Sequence, residues 1–465
     1  MSTIDIRALI EILFSEHALH VAYRERHADS VSRGLDRRNG LSFESVAFNE
    51  LRVASKKCID ASYRFTPYLE VLKVKDRSSP PRIVSIPTIR DRIILTQLNK
   101  LIRLCFLSES KTRLASEYIR QVTDDISKFN DSDTWTAGLD IKKFYDSIDR
   151  VRLIKIIYNK IDNEAARALI TRAINTPTVP KVYKSKEIGK YRVNTGVPQG
   201  LAISNSLAAI YMSDVDTPML NMGVKYYRFV DDVLLVGSKD ATARAAKSFI
   251  ARIRVRGLSV HKEGSKKRHH LPLSQPFGYL GYVFRMPKVT VRESTVEKLL
   301  QSLAAMVTDY KYGRESALSR RAYLTAETYR AAFLDELNER ISGAISGRRR
   351  YGWVAYFSQI NDLSVLHRLD SSLRGIVARN SDLAPRVATL KKFARAYFEI
   401  KYRPNTGYVR NYDKFETTAQ KLSFLVFRGQ VRSDVALTPE QIVEKFEAYR
   451  ERQLNAMLAD EAIVY

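Results

Sequence analysis

Cysteine is almost missing from this chain. Only Cys58 and Cys105 occur in 465 residues, and no CxxC pair is present. That excludes a disulfide framework and a cysteine-based zinc site, and it implies a reducing, cytoplasmic setting. Long apolar runs are also lacking. No stretch approaches the roughly 18 consecutive apolar residues of a membrane span, so none is expected. The opening segment MSTIDIRALIEILF has no basic n-region and carries Asp5 and Glu11, so it reads as a short amphipathic helix and not as a signal peptide. Histidine is sparse, and His269 and His270 sit in the basic run GSKKRHH, which reads as a solvated turn before it reads as a metal site. Acids are the scarce charge: Lys+Arg 77 against Asp+Glu 51 leaves a net charge of +26. Such an excess needs a polyanion, usually nucleic acid, with a membrane surface as the competing reading. Apolar residues make up 45% of the chain and aromatics 10%, enough for a packed core and against wholesale disorder. The length corresponds to about three domains at roughly 150 residues each.

No fixed-period repeat and no low-complexity linker divides the chain. Residues 1–60 read mainly as helix. Residues 66–93 read as two short strands around a polar turn from Asp76 to Pro81. Helical spacing returns over 93–130. TWTAGLDI reads as a buried strand ending at Asp140, and 150–176 again as helix. The segment 181–192 is a basic loop or hairpin. Residues 200–222 suit a helix with small residues on one side. YYRFVDDVLLVG (226–237) reads as a tight hairpin with its two acids near the tip, 241–256 as a helix, and FGYLGYVF (277–284) as an aromatic-rich strand. From about 290 onward the apolar spacing is almost wholly helical. Alternating strands and helices with a long helical tail predict an α+β core carrying an α-helical extension.

The informative chemistry is acidic. Asp140 ends an apolar strand, while Asp231 and Asp232 interrupt the most apolar window of the chain. Charges placed there are costly unless paired or bound to metal. Carboxylates from separate strands, with no His or Cys close by in sequence, suit a hard, oxygen-ligated cation such as Mg²⁺. Two such ions, with Mn²⁺ as a substitute, can activate a 3′-hydroxyl and stabilise leaving pyrophosphate. An isolated Asp-Asp pair is equally an ordinary acidic turn. This pair is not isolated.

In order along the chain stand PRIVSIPTIRDRI (81–93), LDIKKFYDSID (139–149), GVPQGLAISNSLAAIY (196–211), FVDD (229–232), GLSVHKEGSKK (257–267) and FGYLGY (277–282). This set resembles the reverse transcriptases, specifically the bacterial group built like intron and retron enzymes. The segments look like the fingers motif, the first three palm motifs, a weaker fourth motif and the primer grip. The resemblance implies a right-hand polymerase: fingers and palm over 1–288, a helical thumb over 289–345, and a basic α-helical domain over 346–465. It implies that Asp140, Asp231 and Asp232 share the metal ions. It also makes Tyr145 a ring that excludes a nucleotide's 2′-hydroxyl, with Phe144 beside it in the core. Gln199 would contact the incoming nucleotide, and Gly200 would allow close backbone approach. Arg82 aligns with the arginine that holds the triphosphate, joined by Lys73 or Lys75, which are two apart on the preceding strand. Arg90 and Arg92 either brace the fingers or touch template. Lys262 or Lys266 either protonates pyrophosphate or belongs to a solvated turn.

The pattern has departures. Phe229 stands where the family usually has Tyr, which keeps the ring and loses the hydroxyl. There is no VTG element of the retron type, no HNH-like Cys/His cluster, and no acid set for an RNase H domain. RRRYGWVAYFSQIN (348–361) resembles the start of a maturase-type thumb extension. Its Trp353, Tyr356 and Phe357 have helical spacing that suits the core, and Arg348, Arg349 and Arg350 ahead of them suit phosphate or solvent. Residues 386–414 hold eight Lys/Arg, among them Lys391, Lys392 and Arg395, against two acids, with six aromatics interleaved. That composition fits structured RNA, or a basic helix with its aromatics buried. Thr438-Pro439-Glu440-Gln441 is a capping box that opens a final helix running to about 459. Tyr465 offers either a priming hydroxyl or a frayed end.

The reading is an RNA-directed DNA polymerase that takes dNTPs, copies RNA and releases DNA without a membrane partner. By architecture it looks like the stand-alone defence-associated, abortive-infection reverse transcriptases, which implies a dedicated noncoding RNA template and an antiphage role. The alternatives are a template-independent, possibly protein-primed DNA polymerase and a non-enzymatic, maturase-like RNA-binding protein.

Overall fold

The computed structural model describes residues 5–28, 30–73, 81–109, 115–129, 133–265, 267–403 and 406–461. It forms two compact units, residues 1–113 with 130–272 and residues 114–129 with 273–465.

The first unit opens with helices α1 (Ile6–Leu13), α2 (Glu16–Arg26) and α3 (Gly40–Ile59). Asp5, Ser15 and Asn39 cap them by accepting first-turn N–H groups. Strands β1 (Tyr68–Lys73) and β2 (Arg82–Ile86) pair antiparallel, with Lys73 opposite Arg82. Most of the turn expected between them lies outside the described residues. Helix α4 (Ile89–Cys105) starts on the Thr88 cap and runs through the core, with Ile93, Ile94, Leu95, Leu98, Leu101 and Ile102 all buried. Apolar residues on several of its faces mark it as a core helix. The next helix, α5 (Ala115–Ile126), belongs to the second unit.

The first unit continues with β3 (Thr134–Asp140), the single turn α6 (Phe144–Ser147), α7 (Arg150–Lys160), α8 (Glu164–Asn175) and β4 (Thr178–Val179). Then come α9 (Ser204–Met219), β5 (Lys225–Phe229), β6 (Asp232–Ser238), α10 (Lys239–Val255) and β7 (Arg268–Pro272). An antiparallel sheet runs in the order β5-β6-β3-β7. Its two central strands are buried along nearly their whole length, which is why their sequences read as continuous apolar runs with little alternation. The basic segment at 181–192 is neither an open loop nor a hairpin: Ser185–Tyr191 winds as a 3₁₀ turn.

The second unit holds the antiparallel strands β8 (Phe277–Tyr279), β9 (Tyr282–Arg285) and β10 (Lys288–Val291). The single strand expected over 277–284 is thus a hairpin. Leu280 and Gly281 both have positive φ, at 49° and 84°, and two such residues reverse the chain. Helices α11 (Glu293–Arg320) and α12 (Ala326–Ser342) follow. The chain is not wholly helical beyond them: β11 (Ala344–Ser346), β12 (Arg349–Tyr351) and a later β13 form a small sheet. Gly347 and Arg348, at φ 57° and 61°, make the hairpin turn, and the Ser346-Gly347 dipeptide is its sequence signal. Then come the short α13 (Trp353–Tyr356), α14 (Ser364–Ala378), α15 (Phe393–Tyr402), β13 (Arg410–Asn411), α16 (Thr418–Phe427) and α17 (Pro439–Glu461). Thr438 and Gln441 cap α17 reciprocally, through Gln441 N–H to Thr438 Oγ1 at 3.4 Å and Thr438 N–H to Gln441 Oε1 at 3.1 Å. No helix among the described residues is long and apolar enough to cross a membrane.

Candidate active site

Strand β3 carries Asp140 to the end of the sheet, and the β5–β6 hairpin brings two further acids beside it. Asp140 and Asp232 are register partners. Phe229 and Asp232 form the last pair of the hairpin, so Val230 and Asp231 are its two-residue turn. Val230 sits at φ 55°, a region a β-branched residue seldom occupies and that persists only where its surroundings hold it. Arg228 does the holding. Its Nη1 donates to Val230 O at 3.0 Å and its Nε to Asp216 Oδ1 on α9 at 2.7 Å. The Tyr226 hydroxyl donates to the same carboxylate at 2.6 Å. Ile141 N–H also donates to Asp231 O at 3.0 Å, tying the turn to the end of β3.

The three carboxylates repel one another. Burial first, then Asp232 and Asp140, push the Asp231 carboxyl up from 3.8 to about 7, while Arg82 pulls it down. Asp140 is taken up by two bases: Lys267 Nζ lies 3.2 Å from its Oδ2 and His261 Nε2 3.2 Å from its Oδ1. Sequence reasoning missed both, having weighed Lys262, which is exposed, and Lys266, which lies outside the described residues. Among the described residues no three His, Cys, Asp or Glu side chains converge as a ready-made metal shell. The donor set itself is three carboxylates, hard oxygen donors that suit Mg²⁺ or Mn²⁺.

A second loop frames this corner. Gly196 N–H donates to Ile148 O at 2.7 Å and Val197 N–H to Tyr145 O at 2.8 Å. Arg150, buried beneath, donates from Nε to Gly196 O at 2.6 Å. Gln199 reaches Asp146 Oδ1 at 3.0 Å, and its carbonyl accepts Ser85 N–H from β2 at 2.7 Å. Gly200 has φ 98°, and a Cβ there would lie 2.7 Å from Val84 Cγ1 on β2, so glycine is required by both the backbone and the space. Tyr145 is half-buried and its hydroxyl donates to Asn205 Oδ1 at 2.5 Å. Burial raises the phenol pKa, and Asp231 is the next cause, so the ring stands within electrostatic reach of the acids. Phe144 is in the core.

Arg82, on β2, also acts electrostatically on both Asp231 and Tyr145, so its cation lies near the same corner. Lys73 is its cross-strand partner and is exposed. Lys75 and Tyr465 lie outside the described residues. Arg90 is held by Glu50 at 3.0 Å and Thr66 at 3.1 Å. Arg92 is held by Pro87 O, Ser30 and Ser32, each at 3.0 Å. Both arginines are thus held by partners within the first unit.

The basic candidates of the second unit differ in exposure and in partners. Arg348, Arg349 and Arg350 are exposed on the β11–β12 hairpin, and do not simply precede a helix. Arg350 donates to Ile400 O at 2.8 Å, and Arg349 lies 5.0 Å over the Tyr351 ring. Lys391 is turned inward, donating to Tyr408 O at 2.5 Å and Ser342 Oγ at 3.3 Å. Burial and Arg410 lower its pKa. Lys392 is exposed and lines a cleft of about 250 Å³ with His367, Asp370, Ser371 and Arg374. Arg395 is exposed and stacks 4.5 Å over Tyr408. Of the interleaved aromatics, Phe393, Tyr397 and Tyr412 are core, whereas Phe398 and Tyr402 are exposed neighbours 5.8 Å apart. Trp353 and Phe357 are buried, as helical spacing predicted, whereas Tyr356 is only half-buried.

Residues 73–284 match the family model described as "Reverse transcriptase (RNA-dependent DNA polymerase)". The match spans less than half of the chain; with its α+β core and helical C-terminal region, the chain has a right-hand polymerase fold. The chain is similar to the group II intron-encoded protein LtrA of Lactococcus lactis subsp. cremoris, at 25% identity over 228 residues. The match covers 47% of this chain and 36% of that protein, and the protein of strain MG1363 matches equally. The chain thus spans about a third of the length of the curated relatives it matches. Among solved structures, telomerase of Candida tropicalis aligns at 16% identity and TM-score 0.39, over 49% of this chain and 55% of that one. Telomerase of Candida albicans, in complex with a fragment of telomeric RNA, aligns at 10% identity and TM-score 0.41, over 75% and 68%.

Proposed function

We propose that the chain is an RNA-directed DNA polymerase of the group II intron-like lineage, and that it copies a dedicated, structured noncoding RNA in antiphage defence. The observation that carries the polymerase reading is the sheet corner. Asp140 and Asp232 are paired in register with Asp231 in the turn between strands, inside a segment matching the reverse transcriptase family. Asp140, Asp231 and Asp232 would hold two divalent cations, which supply Lewis-acid activation of a 3′-hydroxyl and neutralise departing pyrophosphate. Arg82, aided by Lys73 or Lys75, binds the triphosphate of an incoming dNTP by charge-assisted hydrogen bonds. Gln199, braced by Asp146 and Ser85, lies against the nucleotide, and the Tyr145 ring excludes a 2′-hydroxyl by bulk. Residues 289–345 act as the thumb. Residues 346–465 bind RNA through exposed cations including Arg348, Arg349, Lys392 and Arg395, with Phe398 and Tyr402 offering faces for unpaired bases. The excess of +26 supports a polyanionic partner, and the basic helical tail supports the defence-associated reading.

The test is made on full-length protein purified with its accompanying nucleic acid. It is supplied with Mg²⁺ and labelled dNTPs, with and without prior RNase, beside an Asp231→Asn/Asp232→Asn control. The expected product is complementary to one bound RNA and absent after RNase and in the control. RNase-resistant DNA matching no RNA would replace this reading with template-independent synthesis. Bound RNA without incorporation would replace it with a binding protein. Loss of phage protection in the control strain tests the defence role separately.

A further inference from the structure

We infer that Asn205 is the positioning residue for the Tyr145 ring, and so a second determinant of sugar selectivity. The inference rests on reading Tyr145 as the ring that meets the nucleotide's 2′ position. The phenol packs on one side only, against the core and 5.6 Å from the buried Phe144 ring. It stands on a helix of a single turn, Phe144–Ser147, entered through Lys143 at φ 42°, and its ring is only half-buried. A tyrosine on such a base can leave its rotamer unless its far end is tied. Asn205 ties it: Oδ1 accepts the Tyr145 hydroxyl at 2.5 Å across a separation of sixty residues.

The acceptor stands on the longer and better anchored element. Asn205 lies in the first turn of the sixteen-residue α9. Its neighbours Ser204 and Ser206 are both buried and both anchored, Ser204 Oγ donating to Pro198 O at 2.6 Å and Ser206 Oγ to Asn99 Oδ1 at 2.7 Å. Ile203 and Leu207 on either side are fully buried. Between these anchors the Asn205 side chain is itself exposed, so it contributes little to packing. Asparagine is a poor helix former with nothing to gain there from burial, and the hydroxyl it receives is what the position supplies. The bond also sets the ring's distance from α9, and hence the space left for a substituent on the sugar. A ring released from Asn205 can swing aside and admit a ribose, while the acids and Arg82 remain where they were.

The experiment measures kcat/KM for each dNTP and its matching NTP on the full-length protein with its co-purified nucleic acid. It compares wild type with Tyr145→Ala, Tyr145→Phe, Asn205→Ala, Asn205→Asp and the Tyr145→Phe/Asn205→Ala double variant. Thermal melting confirms folding throughout. Asn205→Ala should lower the dNTP/NTP ratio about fivefold, the equivalent of about 1 kcal/mol for one solvent-facing hydrogen bond. The change should appear as a lower KM for the NTP. Tyr145→Phe should do the same, and the double variant should fall no further than either single, because all three remove one bond. Asn205→Asp keeps an acceptor and should keep the ratio. A wild-type ratio in Asn205→Ala beside a collapsed ratio in Tyr145→Ala overturns the proposal and leaves the ring reading standing. A wild-type ratio in Tyr145→Ala overturns both.

Discussion

Replacing Gly196 by alanine should break the join between the two loops that frame the acidic corner. Gly196 has φ 79°, and a Cβ built there lies 2.8 Å from Asp146 Cα, 2.8 Å from Asp146 O and 2.9 Å from Tyr145 O. All three atoms are backbone, so no side chain can rotate away. The left-handed backbone costs a non-glycine residue about 1–2 kcal/mol. Forcing packed backbone aside adds about 1–3 kcal/mol. The sum is a loss of about 2–5 kcal/mol, with relaxation breaking Gly196 N–H to Ile148 O, Val197 N–H to Tyr145 O, or the Arg150 contact to Gly196 O. Urea denaturation checks it: the midpoint should fall by that energy divided by an unchanged slope. Because the same displacement moves Tyr145, dNTP incorporation and the dNTP/NTP ratio should fall together. Gly189→Ala is the control, since a Cβ there meets nothing within 4 Å. It should change stability by less than about 0.5 kcal/mol. Wild-type stability and a wild-type ratio in Gly196→Ala would refute the loop geometry on which the site rests.

Asp231→Asn should reduce incorporation by about a thousandfold or more. It should leave the melting temperature equal or higher, because a half-buried charge repelled by Asp232 and Asp140 is removed. A variant that loses activity only by unfolding contradicts this. His27 is held down from 6.5 to about 4 by burial and then by Arg92 and Arg26. The unfolded chain therefore binds the extra proton between those values, and stability falls as pH drops from about 6.5 to about 4, by about 3 kcal/mol in all. In His27→Gln that slope should flatten, and equal slopes in the two proteins would remove the assignment. Lys391→Gln should lower stability and spare RNA affinity, since its ammonium is spent on Tyr408 O and Ser342. Lys392→Gln and Arg395→Gln should each flatten the salt dependence of single-stranded RNA binding by about 0.7 in log–log slope, and an unaltered slope means neither meets a phosphate.

What was legible in advance had a local cause. An apolar run that stops at Asp140 is a strand end whether or not its neighbours are known. An apolar window interrupted by Val-Asp-Asp is a hairpin whose tip must face something other than oil. The cap at Thr438 and the burial of Trp353 and Phe357 follow from spacing within a turn or two of helix. Where local signals were weaker, the expectation slipped. Leu280-Gly281 and Gly347-Arg348 turn the chain because both residues of each pair adopt positive φ, which composition barely marks outside glycine.

The chain order of the motifs, the charge excess and the identity of the three acids were determined by the sequence alone, because each depends on residue type and near neighbours. Tertiary structure alone decided how those residues are braced and which cations remain outward. Asp140 meets Lys267 from 127 residues away, Gln199 meets Asp146 from 53, and Tyr145 meets Asn205 from 60. Lys391 and Lys392 are adjacent in sequence, yet one is half-buried and bonded to Tyr408 O and the other opens on a cleft. A hydrogen bond is decided by angles and by a few tenths of an ångström between elements. Such distances exist only once the sheet, α9 and the connecting loops have packed.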